Sequence, residues 1–385
     1  MKALILTPST RSTDVRDIPT PTPGPGEVLI RVRAVALNPV DVIYVEDPVA
    51  EQHQRVVGTD FAGIVTAASN DLAKVEDGRI QNGARVAGFI QGASSANDRP
   101  GAFAEYLTAP YDLLWTVPES MSFEQASTVS MCGLTAAQAV FYRFGLPGPF
   151  SSGSVATSDD PIHVLVYGSS TCLGLLAAQL VHRVGEASGR RIRLIGIASS
   201  SKHEFLRAAP YNYDFLVDYH EQDWPAQVRD ATGGNGVHFA LDTVSERDTV
   251  AKVHSTVGPQ GKYHVFRGPH GGKFDLANLA IKPVFGPVYE GLGVGLSFGP
   301  GAFFPAKPEA RDFAAKFFAF LNSGARDNEI KLQPNPIRQM PGGLERIVPD
   351  GFALLSGMVV DRKPLDMSEE YMRPISAEKL VYTIA

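Results

Sequence analysis

Between Pro161 and Val244 short apolar runs alternate with amphipathic stretches: HVLVYG, LLAAQLVHRVG, IRLIGIA, HEFLRAA, FLVDY, WPAQVRDATGG and GVHFALDTV. Strand patterns separated by helix patterns call for a parallel sheet, because parallel neighbours are joined by crossovers. Strands that are apolar throughout need cover on both faces. This region therefore reads as a doubly wound α/β sheet. At 385 residues the chain is too long for one ordinary core, so a second domain is expected.

The first third has a different texture. From Glu27 the segment EVLIRVRAVAL alternates apolar and charged residues, the pattern of a half-buried strand. The preceding IPTPTPGPG is too rich in Pro and Gly for a regular ladder. VVGTDFAGIVTAA, NGARVAGFI and GAFAEYLTAP read as further short strands. At Ser122 the pattern turns helical, with Ser122 as the expected N-cap. The low-complexity stretch from Gly145 to Pro161 reads as a flexible surface insertion. RDFAAKFFAFLNSG is expected to be a helix ending at Gly324, and KLVYTIA a closing strand that returns to the first domain.

The stretch VLVYGSSTCLG, Val164 to Gly174, ends a strand at Gly168 and opens a helix near Leu173. This reads as the first βα turn of a dinucleotide fold, where backbone N–H groups and the helix dipole hold a pyrophosphate, or else as a simple strand–helix turn. Ser170 and Thr171 stand where a second glycine would allow close approach, and their hydroxyls are expected to donate to phosphate oxygens instead. After the second strand, IGIASSSKHEF offers Ser199, Ser200, Ser201 and Lys202, with no acid before Glu204. Hydroxyls and an ammonium suit a 2′-phosphate, so NADPH is expected rather than NADH, although the same serines also suit a helix cap.

A net charge of −6 and the lack of a Lys/Arg cluster argue against nucleic acid. No run approaches a membrane span, and MKALILTPST has too few apolar residues for a signal peptide core. Two cysteines, Cys132 and Cys172, exclude a disulfide framework and fit a reducing compartment, so a cytoplasmic enzyme of small-molecule chemistry is expected.

The segments PGPGEVLIRVRAVALNPVDV, VVGTDFAGIV, NGARVAG, GAFAEYLTAP, VPESMSFEQAS, LTAAQA, VDY, ALDTV and SAEKLVYTI, in this order, resemble the signposts of the medium-chain dehydrogenase/reductase superfamily. The resemblance implies a GroES-like β domain in two parts, 1–134 and 325–385, around a Rossmann domain at 135–324. Zinc alcohol dehydrogenases of that superfamily carry a metal-binding cysteine where this chain reads NPVDVIYV and four more where it reads QGASSANDRPGAF. Neither segment holds a thiol, and His53 has no partner at ligand spacing, so no metal is expected. Within the zinc-free members the chain is most similar to fungal enoyl reductases that act in trans with iterative polyketide synthases. The contacts are YGSST, the insertion before it, GPVYEG and PGGLERIVPDGFALL.

That likeness implies hydride transfer from NADPH to the β-carbon of an enoyl chain, free or carrier-bound, with a polyketide synthase or its acyl carrier domain as partner. It leaves open monomer or homodimer, and as alternatives a free-standing quinone or enone reductase or a non-catalytic NADPH-binding protein. By family position Thr135 lies near the nicotinamide, as a hydrogen-bond donor to the carbonyl oxygen or simply a helix residue. Tyr44 is a proton donor, the holder of a water, or a pocket wall. Val40, Asp41 and Ile43 border the cofactor, with Asp41 also read as a loop-bonding residue; some relatives carry Lys at the position of Ile43. Gly168, Ser170, Thr171, Cys172 and Leu173 meet the pyrophosphate, and Ser200, Ser201, Lys202 and Tyr219 surround the 2′-phosphate and adenine. Phe266 and Arg267 follow a late strand, GKYHVF, whose backbone approaches the nicotinamide side, and Ile375 and Ser376 close over the cofactor. Gly286, Pro287, Val288, Tyr289 and Glu290 form a substrate wall or a subunit edge.

Overall fold

The computed structural model describes residues 1–49, 52–94, 99–155, 158–299, 302–365 and 367–384. The chain forms two units: Met1–Met131 with Tyr289–Ser356 and Lys363–Ala385, and Cys132–Val288 with Gly357–Arg362. Together they make an α/β protein of one β-rich and one parallel-sheet unit.

In the first unit, alternation along β3 (Glu27–Ala36) turns Ile30, Val32 and Ala34 fully inward, while Arg31 stays exposed. The strand pairs antiparallel with β5 (Asp60–Ala68) and with β19 (Lys379–Thr383), so the end of the chain completes the sheet begun near its start. The order is β18 (Ile337–Gln339), β19, β3, β5, β6 (Arg85–Phe89), β8 (Leu114–Thr116), with β7 (Tyr106–Pro110) also on β3. A smaller sheet joins β2 (Ser12–Asp17), β1 (Lys2–Thr7) and β4 (Arg55–Val56). One core of Phe61, Phe103, Leu107, Phe352 and Tyr382 sits beneath these strands.

Helix α1 (Pro39–Glu46) follows β3, with proline at the first helical position, where its missing N–H costs nothing. Helix α2 (Phe123–Ala126) begins in a capping box: Gln125 N donates to Ser122 Oγ at 3.2 Å and Ser122 N to Gln125 Oε1 at 3.0 Å. Helix α3 (Ser130–Ala137) carries the chain from the first unit into the second.

The second unit holds five parallel strands in the order β13 (Phe215–Val217), β12 (Ile192–Ile197), β11 (Ile162–Tyr167), β14 (Val237–Asp242), β15 (Val257–Val265). Between them run α4 (Cys172–Ser188), α5 (His203–Arg207), α6 (Trp224–Ala231) and α7 (Asp248–Thr256). The order reverses between β11 and β14, which places a crevice outside their carboxyl ends.

Two stretches fold differently from expectation. The insertion at 145–161 contains an antiparallel hairpin of β9 (Pro147–Gly148) and β10 (Ser151–Ser152), sealed by buried Leu146 and by Phe150 edge-on to Phe141 at 5.1 Å. Residues 156 and 157, within the same insertion, lie outside the described residues. The stretch 289–324, expected in the dinucleotide domain, groups with the first unit. Short α8 (Pro269–Gly272) precedes the hairpin of β16 (Leu296–Ser297) and β17 (Phe303–Phe304), and α9 (Pro308–Ser323) follows it. The apolar stripe of α9, Phe313, Phe317, Phe318 and Leu321, is buried, and the helix packs on β8. Burying each such side chain stabilises by about 1.5–3 kcal/mol, which fixes the helix to that sheet.

Candidate functional site

The turn after β11 is built by its side chains. Gly168 adopts φ +72°, and Thr171 is the N-cap of α4: its Oγ1 accepts Gly174 N–H at 3.0 Å and lies 2.9 Å from Thr243 Oγ1. The Thr171 hydroxyl is therefore spent on the helix and on the strand-end residue Thr243, which itself donates to Tyr167 O at 2.8 Å; it is not turned to a phosphate as expected. Half-buried Ser170, Cys172 and Leu173 remain at the mouth of the turn, where the orphan N–H groups and dipole of a 17-residue helix favour an anion.

Beyond β12, Ser200–Lys202 forms a single 3₁₀ turn, with Ser199 and Ser201 hydroxyls 3.2 Å apart. Asp218, after β13, brings a carboxylate into this corner that the spacing from β12 did not show. It accepts Ser200 N at 2.8 Å, His220 N at 2.9 Å and lies 2.6 Å from His220 Nδ1. Desolvation opposes its ionisation, but these hydrogen bonds win and hold the carboxyl below the ordinary range. Its charge thus braces the Ser200 turn. Tyr219, 46% exposed, meets His220 with ring centroids 4.0 Å apart and planes tilted by 32°, leaving an aromatic face beside Lys202's turn.

On the other side of the crevice, buried Asp242 accepts Ser245 N at 2.7 Å, Thr249 Oγ1 at 3.0 Å, Val244 N at 3.1 Å and Tyr263 OH at 3.2 Å. Burial nevertheless pushes its carboxyl up to about 6. Ser245, held by this web, and Arg247, whose N–H donates to Gly272 O at 2.8 Å, take φ +55° and +50°, conformations that cost side-chain-bearing residues energy and cluster at functional loops. Phe266 N donates to Ser245 Oγ at 2.8 Å. The Arg267 side chain is turned inward: its Nη1 lies 2.9 Å from Glu246 Oε1, and Glu246 is fully buried. Val360 N, from the returning segment 357–362, donates to Glu246 Oε2 at 3.0 Å. Neither Glu246 nor Asp218 carries a signal readable in the sequence, because Glu246 meets Arg267 and Val360, and Asp218 meets Ser200, only through the fold.

In the first unit Asp41 is not available to a cofactor. It is buried, accepting Asn38 N at 2.8 Å and Thr59 Oγ1 at 3.0 Å, and burial pushes its carboxyl up to about 7, with nearby Asp60 adding to the shift. The network continues through Asn38 Nδ2 to Asp60 Oδ2 at 2.9 Å, Lys379 Nζ to the same oxygen at 2.6 Å, and Met131 N to Asp60 Oδ1 at 2.9 Å. It ties α1, β5, β19 and the start of α3, the helix that bears half-buried Thr135. Half-buried Val40 and Ile43, 39% exposed, are among the outward residues of α1. Tyr44 packs on the core and stacks on Phe298, centroids 6.3 Å apart; burial pushes its phenol up, so it holds its proton more firmly than a free tyrosine.

The expected wall 286–290 divides. Tyr289 and Glu290 are buried in the first unit, with Glu290 Oε1 2.8 Å from Lys307 Nζ, so this carboxylate serves an internal pair. Val288 is buried, and Gly286 and Pro287 stay half-buried in the second unit. Ile375 packs against the first unit's core, while Ser376 is exposed. Their loop hangs on buried Arg338, which donates to Pro374 O at 2.8 Å and Tyr371 O at 3.1 Å and pairs with Glu378.

Among the described residues no three His, Cys, Asp or Glu side chains come together as metal ligands, and no helix is long and apolar enough to cross a membrane. Residues 24–119 match the family model described as the alcohol dehydrogenase GroES-like domain, and residues 172–284 the model described as zinc-binding dehydrogenase. The described residues do not offer the donor set that the zinc of that description would need. The chain is 30% identical to the trans-enoyl reductase opdC of Penicillium oxalicum, over 90% of each chain. It is 31% identical to the trans-enoyl reductase FSL5 of Gibberella zeae, over 95% of this chain and 92% of that one. Its fold is similar to the crystal structure of CurK enoyl reductase, with TM-score 0.67, 16% identity, and coverage of 99% of this chain and 98% of that one.

Proposed function

Because the chain belongs to the medium-chain dehydrogenase/reductase family, we propose that it is a zinc-independent, NADPH-dependent trans-acting enoyl reductase. Its substrate is an α,β-unsaturated acyl chain carried as a thioester by a polyketide synthase, and it works in the cytosol. The observation that carries this reading is likeness along nearly the whole chain to two trans-enoyl reductases.

The residues fit a phosphorylated nicotinamide dinucleotide. The N-terminus of α4 with Ser170, Cys172 and Leu173 receives the pyrophosphate. Ser200, Ser201 and Lys202 receive the 2′-phosphate, and the exposed ring of Tyr219 the adenine. When bound, the reduced cofactor supplies a hydride for the β-carbon of the activated alkene. The chain must then steady the charge that gathers on the carbonyl oxygen, and the Thr135 hydroxyl on α3 is the donor assigned to it. Tyr44, with its phenol raised by burial and its ring on Phe298, holds its proton too firmly to be the acid, which leaves water to protonate the α-carbon.

The test offers purified protein an enoyl pantetheine thioester and a simple quinone, each with NADPH and with NADH, and follows nicotinamide oxidation. Turnover of the thioester with NADPH, well above that of the quinone, is expected. Preference for the quinone would replace this reading with a free-standing quinone reductase, and binding without turnover would make the chain a non-catalytic NADPH binder.

A further inference from the structure

The carboxyl end of β14 runs into the loop 243–247, at the β11/β14 reversal where the crevice lies. Thr243 Oγ1 donates to Tyr167 O at 2.8 Å and lies 2.9 Å from Thr171 Oγ1, so the loop is bonded to the first βα turn. Three residues on stands Glu246, fully buried and flanked by Ser245 and Arg247 with their positive φ. A buried carboxylate is costly unless it is paired and hydrogen-bonded. Its partners come from two later stretches of chain. Arg267, just past β15, places Nη1 2.9 Å from Oε1, and Val360 N donates to Oε2 at 3.0 Å. Half-buried Arg362 faces the same carboxylate: burial loosens its proton, and the charge of Glu246 works against that loss.

Val360 and Arg362 lie in segment 357–362, which groups with the second unit although the chain before it, to Ser356, and after it, from Lys363, belongs to the first. The segment forms one 3₁₀ turn, Val359–Asp361, closed by Asp361 N donating to Met358 O at 3.1 Å. Val359 and Val360 stay 38% and 43% exposed, so apolar burial does not hold these two residues. Glu246 holds the turn instead, together with an ion pair between Arg247 and Asp361. Both anchors belong to the crevice loop. A backbone strained at 245 and 247 keeps its form only where its surroundings over-determine it. The Asp242 web fixes the start of this loop, and the strap 357–362 fixes its end.

We propose that Glu246 is a positioning residue for the nicotinamide cofactor: by latching the strap 357–362 it preforms the crevice loop, so that strap docking and cofactor binding strengthen each other. This rests on the nicotinamide part of the proposed function and adds to it a coupling between the crevice and a stretch more than a hundred residues further on. Coupling of this kind is reciprocal. The factor by which the docked strap tightens the cofactor is the factor by which the cofactor holds the strap.

The test follows backbone hydrogen exchange at 357–362 in the whole protein, with and without saturating NADPH, because exchange reports local opening. Dissociation constants of NADPH and NADH are measured alongside by fluorescence, with no acyl substrate present. Exchange is expected to slow by about 10-fold on adding NADPH, and Glu246→Ala to weaken both cofactors by about the same factor. Glu246→Gln keeps an acceptor for the Val360 N–H and should recover part of that loss. Asp361→Asn removes an exposed ion pair alone; it should cost both cofactors about 2- to 5-fold, and it carries the test if Glu246→Ala does not fold. Exchange indifferent to NADPH, variants that bind both cofactors as the wild type does, or a loss confined to NADPH would overturn the proposal. Coupled exchange in a protein that reduces no enoyl thioester would uphold it and overturn the enoyl-reductase reading. A wild type that binds neither cofactor would overturn both.

Discussion

At the scale of single residues, cofactor preference is expected to turn on Lys202, the cation of the Ser200 turn. A charge-assisted hydrogen bond is worth about 1.5–3 kcal/mol, or about 10- to 150-fold in dissociation constant. Lys202→Ala should weaken NADPH by that factor and NADH by less than about 3-fold in a fluorescence titration; equal loss of both would refute the phosphate assignment. The place of Ser200, Ser201 and Lys202 in a turn past β12 was legible because they follow a strand whose end is marked by apolar residues running into polar ones. Asp218 was not, because its reach to Ser200 comes from the neighbouring strand, and pairing order is invisible in a linear reading. Asp41, read also as a loop-bonding residue, does bond Asn38 N, whereas Glu290, read as part of a wall, pairs with Lys307, and neither full set of partners was visible in advance. Sequence shows a carboxylate but not the Thr59 hydroxyl or Lys307 ammonium that occupies it.

At the scale of elements, the turn between β11 and α4 owes its shape to a close approach at Gly174. A Cβ there would lie 2.5 Å from Gly168 O and 2.8 Å from Ser169 O, both backbone atoms unable to give way. Gly174→Ala should therefore push α4 from the strand, costing about 1–3 kcal/mol and weakening either nicotinamide cofactor. Calorimetry would show the first effect and titration the second; an unshifted variant would mean that the helix start tolerates displacement. The strands and helices of this unit were legible because period and length agree in each, as in HVLVYG and LLAAQLVHRVG. Helix α9 was legible as a helix but not in its allegiance, since an apolar stripe of phenylalanines does not say which sheet will cover it. The hairpin at 147–152 was missed because its Pro, Gly and Ser composition matches that of a loop.

For the molecule as a whole, two buried carboxyls set a direction for stability against pH. Asp41 stands at about 7 and Asp242 at about 6, above the value of about 4 for an aspartate in the unfolded chain. The folded state therefore binds more protons than the unfolded state between these values. Their contribution is fully present below about pH 4 and is lost as pH rises through about 6 to 7. The thermal midpoint of Asp41→Asn should accordingly fall less than that of the wild type between pH 5 and 8, about one window of titration; parallel curves would show that Asp41 does not titrate there. The returning segment Gly357–Arg362 extends this to assembly. It joins the second unit late in the chain, with Val360 on Glu246 and Asp361 on Arg247. A ribosome that has released everything up to Val288 has thus made a nucleotide-binding unit still lacking its last piece, and no single cut yields two self-sufficient halves.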